Sequence, residues 1–350
     1  MQKFDHIFHY AEDFTLEAGG VLPGFQLKYT TLGSLNTDRN NVIWICHAFT
    51  GSADFTDWWK DLFTEGTPFD PRDYFIICAN IPGGCYGSTG PLSLNPKTGK
   101  PYFHQFPTLT NRDVVLAFDL LRQHLKIEQV HTLLGGSLGG QQALEWAILQ
   151  PEVFKNVIPI ACNAFHSAWG IAFNEAQRMA IAADATWKEN DEGAGSEGLK
   201  AARAMAMISF RTFETYDQTQ SENNVDKLDD FREASYQRYQ GEKLAKRFNA
   251  YTYWLITKMM DSHQLGRGRG NAREALSRIK ANVLIVGIDS DILFPLEEQK
   301  FLAESIPHAQ LSVISSLYGH DGFLVEFDVF KKMVRTFLHQ KEEIKYNESA

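Results

Sequence analysis

Residues 130–147 read "VHTLLGGSLGGQQALEWA", an apolar run that leads into two glycine pairs around one serine and then into an amphipathic segment. A strand, "GGSLG" and a helix form the arrangement in which a sharp turn raises a serine hydroxyl above the edge of a sheet. Gly135 and Gly139 fit this turn, because a side chain there would collide with backbone while Ser137 holds a strained conformation. The pattern predicts Ser137 as a nucleophile, with a glycine-rich helix start and a capping serine as the alternative.

The rest of the chain carries similar apolar, β-branched runs. Near-continuous hydrophobicity is typical of strands covered on both faces, and helical patterns such as residues 110–126 lie between several runs. The sequence therefore predicts an α/β fold, with a mostly parallel sheet and helices on both faces. Apolar and polar residues alternate over residues 26–36, which is typical of an antiparallel edge strand. The six runs are 41–49, 73–81, 130–137, 156–163, 282–289 and 311–316.

The alternation of strand and helix patterns breaks between residues 164 and 281. This stretch is helix-like and polar, and it contains no convincing strand pattern. We therefore expect a helical lid at 164–281, inserted into a core that residues 1–163 and 282–350 form.

A serine nucleophile needs a base that takes its proton and an acid that orients the base. In this architecture the chain order is serine, then aspartate or glutamate, then histidine. Asp289 and Asp291 follow an apolar run, and His320 lies in a glycine turn after the next run. We favour Asp291 because a carboxylate in the loop can turn toward His320, although Asp289 remains possible.

A serine that attacks a carbonyl group also needs amide donors for the oxygen anion that forms in the reaction. One donor is expected from Leu138, directly after the nucleophile, and the other from a loop after an earlier strand. The loop "CHAFTG" (46–51) fits, and Phe49 is our choice of donor, with Ala48 and Thr50 as alternatives.

Several ordered segments together resemble the homoserine O-acetyltransferase family, an acyltransferase branch of the α/β-hydrolase fold. The similarity covers about residues 15–335 and includes "CHAFTG", "GGCYGSTGPLSLNPKTGKPY", "GGSLGGQQALEWA", "FNEAQRMAI", "DSDILFPLEEQ" and "YGHDGFLVE". The resemblance implies Ser137, Asp291 and His320 as the triad. It also implies that Arg203 binds the carboxylate of the amino acid acceptor and that Asp321 meets its amino group.

The resemblance further implies acetyl-CoA as the acyl donor, L-homoserine as the acceptor, no bound cofactor and a homodimer formed through the lid. The chain departs from the family pattern at four lid positions. These are Met207, Phe210, Asn249 and Tyr251. The alternative donor is succinyl-CoA, and the alternative acceptor is L-serine. The alternatives to a transferase are a plain esterase or thioesterase and a noncatalytic binding protein.

Composition limits the possible partners. A formal net charge of −9 argues against nucleic acid, and the apolar runs are too short to span a membrane. The start of the chain lacks the apolar core of a secretion signal, so we expect a cytoplasmic protein with reduced cysteines. Cysteine and histidine spacing predicts no metal site. The arginine-rich loop 266–273 is interpreted as a solvated surface loop, with a local anion-binding patch as the alternative.

Overall fold

The computed structural model describes residues 2–348, and it describes their side chains except at positions 60 and 340–348. Eight strands form one sheet, in the order β1-β2-β4-β3-β5-β6-β7-β8. The strands are β1 (Lys3–Thr15), β2 (Val21–Leu32), β3 (Val42–Cys46), β4 (Phe75–Ala79), β5 (Val130–Gly136), β6 (Phe154–Ile160), β7 (Asn282–Ile288) and β8 (Ala309–Ile314).

Strands β3 to β8 run parallel to one another, whereas β2 is antiparallel to both β4 and β1. The six apolar runs coincide with β3 to β8, which confirms the predicted fold class. The prediction of an edge strand at 26–36 was wrong in one respect. That segment overlaps β2, but β1 pairs along its outer side and is the actual edge. The sequence analysis missed β1, because its charged and aromatic side chains follow no simple alternation.

Helices cover both faces of the sheet. The helices are α1 (Phe55–Trp58), α2 (Asn111–His124), α3 (Leu138–Leu149), α4 (Ala168–Ala182), α5 (Ser196–Phe210), α6 (Phe213–Gln220), α7 (Arg232–Ala245), α8 (Ala250–Asp261), α9 (Ala272–Leu276), α10 (Leu296–Ser305) and α11 (Phe327–Glu348). Side chains of α2, α3 and α10 belong to the buried cluster on one face, and those of α1 and α11 to the cluster on the other. Alternation along β3 sends Trp44 into the first cluster and Ile43 into the second.

Helices α4 to α9 fill the segment between β6 and β7, where the sequence predicts the lid. The two ends of this segment lie side by side. The His166 amide donates to the His263 carbonyl at 3.0 Å, and the Leu265 amide donates to the Ala164 carbonyl at 3.0 Å. The helical segment thus leaves and re-enters the sheet at one place, next to the carboxyl end of β6.

The interpretation of the arginine-rich loop as a solvated surface was wrong for one of its residues. Arg269 is 9% exposed, and its guanidinium pairs with buried Glu145 at 2.6 Å. Arg267 is partly exposed and pairs with Glu17 at 2.8 Å. Their charges therefore hold the loop against the core. In the described part of the chain, no helix has the length and hydrophobicity that a membrane span requires.

Candidate active site

The turn between β5 and α3 forces Ser137 into a left-handed conformation, with φ 57° and ψ −123°. The Ser137 amide donates to the Ile160 carbonyl of β6 at 2.8 Å, which fixes the turn at the carboxyl edge of the sheet. A Cβ at Gly139 would lie 2.0 Å from the Cys46 carbonyl oxygen, and one at Gly135 would lie 2.4 Å from Gly139. The strained serine is therefore possible because glycines let α3 approach the end of β3.

Asp291 lies in the loop after β7, and His320 lies in a 3-10 turn, Gly319–Leu324, after β8. Oδ2 of Asp291 lies 2.6 Å from Nδ1 of His320. Its other oxygen accepts hydrogen bonds from the amides of Leu293 at 2.8 Å and Phe294 at 2.9 Å. The carboxylate is therefore held from one side and presented to the histidine on the other.

The alternative acid, Asp289, has a different partner. Its Oδ1 accepts a hydrogen bond from the Ser316 amide at 3.2 Å, which ties the end of β7 to the loop after β8. Asp291 is thus the aspartate of this pair that contacts His320.

Two opposing effects act on His320, which is 4% exposed. Burial lowers its pKa, but the Asp291 carboxylate outweighs burial, so the pKa of His320 is raised overall. The imidazole also stacks on Phe294, with ring centres 5.1 Å apart. A ring that is oriented and made more basic in this way is suited to accept a proton.

The turn that carries Ser137 and the turn that carries His320 pack against the same side chain, Phe323. A Cβ at Gly136 would lie 2.5 Å from the Phe323 ring, and that ring packs against His320 with centres 5.5 Å apart. Within the described residues, no hydrogen bond joins the Ser137 hydroxyl to His320. Such bonds are often long in an unliganded site and shorten when substrate binds.

The two predicted amide donors lie on neighbouring segments. Leu138 is the first residue of α3, where amides have no partner inside the helix, and Phe49 follows the end of β3. His47 supports the second segment, because its Nδ1 contacts the Ala48 carbonyl at 2.9 Å and its Nε2 accepts from the Ile81 amide at 3.2 Å. Burial lowers the pKa of His47 to about 4, so it stays neutral and keeps both bonds at neutral pH.

The predicted acceptor residues lie where α5 meets the His320 turn. The Arg203 guanidinium lies over the Phe210 ring, 5.3 Å from its centre. Asp321 accepts a hydrogen bond from Nε of Arg211 at 3.2 Å. Burial raises the pKa of Asp321, and Arg211 works against this effect by favouring the charged carboxylate.

The sequence analysis did not single out Arg211 or Arg247. Nη1 of Arg247 donates to the Thr50 carbonyl at 2.8 Å and also contacts the Tyr86 hydroxyl, so it anchors the helical segment to the Phe49 loop. Arginines on amphipathic helices are usually solvated, and only the packing of the helices reveals these contacts.

Two of the four departures from the family pattern have a structural use. Asn249 caps α8, since its side chain accepts from the Thr252 amide at 2.8 Å. The Tyr251 hydroxyl donates to the Glu189 carbonyl at 2.6 Å. Both positions thus stabilise the helical segment itself.

This geometry agrees with the comparisons with known proteins. The family model of the alpha/beta hydrolase fold matches residues 41–327. A homoserine O-acetyltransferase from Cyclobacterium marinum is 50% identical over 337 residues, which cover 96% of each protein. This chain belongs to the homoserine O-acetyltransferase family. The predicted family resemblance is thereby confirmed.

Solved structures support the same fold. Homoserine O-acetyltransferase from Bacillus anthracis has a TM-score of 0.90 at 26% identity, over 97% of this chain and 98% of that protein. Esterase E22 has a TM-score of 0.88 at 24% identity, over 96% of this chain and all of that protein (100%). The shared fold alone therefore does not separate transfer from hydrolysis in the homoserine O-acetyltransferase family.

A second carboxyl group lies close to the Asp291 loop of this family member. Oε2 of Glu298 accepts from Asn163 at 3.0 Å, and Asn163 accepts from Gln141 at 2.9 Å, one turn after Ser137 on α3. Burial raises the pKa of Glu298 to about 7, and the charge of Asp291 adds to this effect. Glu298 thus links α10 to α3 through Asn163 and Gln141.

Glu298→Gln is expected to remove a pH-dependent loss of stability. The folded pKa is about 7, whereas an unfolded glutamate has a pKa of about 4.3, so stability falls as the pH rises through this window. Below it, wild type and Glu298→Gln should unfold alike. At pH 8 the variant should be more stable by about 1–2 kcal/mol, allowing for partial solvent screening.

Urea unfolding at pH 4.5 and pH 8 measures this difference. Glu297→Gln is the matched control, because Glu297 is exposed and precedes Glu298 on the same helix. A constant difference between Glu298→Gln and wild type at the two pH values would contradict the assigned pKa.

Proposed function

We propose that this protein transfers an acetyl group from acetyl-CoA to the hydroxyl of L-homoserine through a Ser137 acyl-enzyme. The observation that carries the proposal is the 50% identity to a homoserine O-acetyltransferase over 96% of both chains. The contact between Asp291 and His320 at 2.6 Å and the strained turn at Ser137 supply the chemistry that such a transfer needs.

In the first half of the reaction, His320 takes the proton of Ser137 while the hydroxyl oxygen attacks the thioester carbonyl. The negative oxygen of the tetrahedral intermediate accepts hydrogen bonds from the Leu138 and Phe49 amides. The carbon–sulfur bond then breaks, and His320 gives its proton to the departing CoA thiolate. Asp291 stabilises the charged imidazole throughout.

In the second half, the hydroxyl of homoserine gives its proton to His320 and attacks the serine ester. The same two amides hold the second tetrahedral intermediate. The bond to Ser137 breaks, Ser137 regains a proton from His320, and O-acetylhomoserine leaves. No step in this sequence requires a metal ion or a bound cofactor.

The acceptor must be held by its two charged groups, because homoserine is otherwise small. We assign its carboxylate to Arg203, since a guanidinium matches a carboxylate in shape and charge. We assign its ammonium group to Asp321, next to His320. Arg211 opposes the rise that burial causes in the pKa of Asp321, which favours the charged carboxylate that a cation would bind.

Transfer has to compete with hydrolysis by water. Helices α4 to α9 lie over the carboxyl edge of the sheet, and we propose that they exclude bulk water so that the positioned hydroxyl reacts first. A plain esterase or thioesterase would use the same triad without this preference. Succinyl-CoA and L-serine remain the alternative donor and acceptor.

The test incubates the protein with acetyl-CoA or succinyl-CoA, each with L-homoserine, with L-serine or without an acceptor. We expect rapid thiol release only with acetyl-CoA and homoserine together, and O-acetylhomoserine as the product by mass spectrometry. Equal thiol release without an acceptor would favour the hydrolase. Faster release with succinyl-CoA or serine would reassign the donor or the acceptor.

We propose a homodimer formed through the helical segment. The surface of this segment includes large apolar side chains, among them Phe213, which is 77% exposed, and Leu228, which is 92% exposed. Dimer formation would remove such side chains from water. Light scattering is expected to give twice the mass of one chain, and a monomer would contradict this.

The four cysteines are free thiols, as in proteins of a reducing compartment. We therefore propose a cytoplasmic location, which cell fractionation would test.

A further inference from the structure

Helices α5 and α7 pack in close contact and run in opposite directions. A Cβ at Gly241 would lie 2.7 Å from the Lys200 carbonyl oxygen, so the glycine permits the approach. Four residues earlier on α7, the Gln237 side chain donates to the Ala204 carbonyl at 3.1 Å. Tyr236 is consequently held at the level of Arg203.

The charged guanidinium of Arg203 requires hydrogen-bond acceptors. Among the described residues, none accepts a hydrogen bond from its guanidinium or forms an ion pair with it. Burial lowers the pKa of Arg203, because it removes water from the charged guanidinium. A guanidinium has five N–H donors, and a half-buried one is stabilised most by a planar anion.

The Tyr236 hydroxyl is buried and has no hydrogen-bond partner among the described residues. The other tyrosines around this place already have partners. The Tyr216 hydroxyl donates to Oε1 of Gln237 at 3.2 Å, and the Tyr253 hydroxyl donates to Oε1 of Gln177 at 2.5 Å. An unpaired buried donor is destabilising, so the free Tyr236 hydroxyl suits an acceptor supplied by a ligand.

The charged side chains around Tyr236 indicate which ligand group its hydroxyl would bind. The ring of Tyr236 lies 5.9 Å from the Arg211 guanidinium, and Arg211 is paired with Asp321. Because Asp321 is held by Arg211, the unmatched donors are those of Arg203 and Tyr236. Together they suit an anion with two oxygen atoms.

We propose that the Tyr236 hydroxyl and the Arg203 guanidinium jointly bind the carboxylate of the acceptor amino acid. This inference rests on the proposed function and adds to it a residue that determines specificity. The carboxylate then lies against α5 and α7, and the ammonium group lies at Asp321. The acceptor is thereby oriented with its two charged groups at separate places.

Tyr236→Phe tests the inference, because it removes one oxygen atom and keeps the ring. We expect KM for L-homoserine to rise about 10- to 100-fold, the usual effect of losing a hydrogen bond to a charged group. The kcat for transfer should change less than about threefold, because the bond is made equally in the ground and transition states. Tyr239→Phe is the matched control, since Tyr239 lies on the same helix and is 57% exposed.

Two further measurements separate this role from a structural one. The acceptor 2-amino-1,4-butanediol lacks the carboxylate, so its KM should be the same for wild type and Tyr236→Phe. Hydrolysis of p-nitrophenyl acetate, which needs the triad but no acceptor, should also be unchanged. An equal rise in KM for both acceptors, or a lower rate of ester hydrolysis, would assign Tyr236 a structural role and overturn the inference.

The outcomes also separate this inference from the proposed function. Transfer to homoserine that is insensitive to Tyr236→Phe would overturn the inference and leave the proposed function standing. Absence of transfer to homoserine by the wild-type protein would overturn both.

Discussion

Replacing Ser137 with alanine is expected to abolish the acyl-enzyme and to lower the rate of acetyl transfer by about 10⁶-fold, the loss typical of removing a serine nucleophile. The covalent bond to the acyl group forms at the Ser137 oxygen, and alanine has no atom that can replace it. Mass spectrometry after mixing with acetyl-CoA should detect an acetyl adduct on wild type and none on the variant.

The matched control for this experiment is Ser277→Ala, because Ser277 is an exposed serine after α9 whose hydroxyl donates to the Glu274 carbonyl. This control should retain the adduct and the rate. The melting temperature of Ser137→Ala should equal or exceed that of wild type, since the variant removes one oxygen atom from a strained turn. An acetyl adduct that persists in Ser137→Ala would refute the role of Ser137.

Asp291→Asn is expected to lower kcat by about 10⁴-fold, as the corresponding change does in serine proteases. The Leu293 and Phe294 amides donate to Oδ1 of Asp291, and they should keep the amide oxygen of asparagine in that place. The amide NH₂ then faces Nδ1 of His320. A donor there stabilises the imidazole tautomer that carries its proton on Nε2, and this tautomer cannot take a proton from Ser137.

Asp289→Asn is the control for this substitution. Asp289 accepts a hydrogen bond from the Ser316 amide, which the oxygen of asparagine can also accept, so kcat should stay within about tenfold of wild type. Steady-state thiol release measures both variants. A larger loss of kcat in Asp289→Asn than in Asp291→Asn would reverse the assignment of the acid.

The parallel part of the sheet could be predicted because both faces of those strands are buried. Residues 283–288 are apolar throughout for this reason, and the strand before Ser137 is likewise almost completely buried. β1 was missed because most of its side chains are exposed, so its apolar residues follow no regular alternation. Its pairing with β2 depends on backbone hydrogen bonds, which leave no pattern of apolar residues.

The placement of Ser137, Asp291 and His320 could also be predicted, because each follows the end of a parallel strand. The contacts made by the helical segment could not be predicted from the sequence. Arg211, Tyr236 and Arg247 lie on or beside amphipathic helices, and the sequence does not state which way each helix faces. Glu298 looks like an ordinary surface glutamate in the sequence, and its burial arises only when α10 packs beside Asn163.

The outer side of β1 offers backbone amides and carbonyls that a strand of another molecule could pair with. Two apolar side chains on it, Phe4 and Ile7, are about half exposed, which would favour such association. A bulge between Tyr10 and Asp13 disrupts the flat edge, and Lys3 and Asp5 add opposite charges to it. These features protect the molecule against edge-to-edge aggregation while the β1–β2 hairpin stays folded.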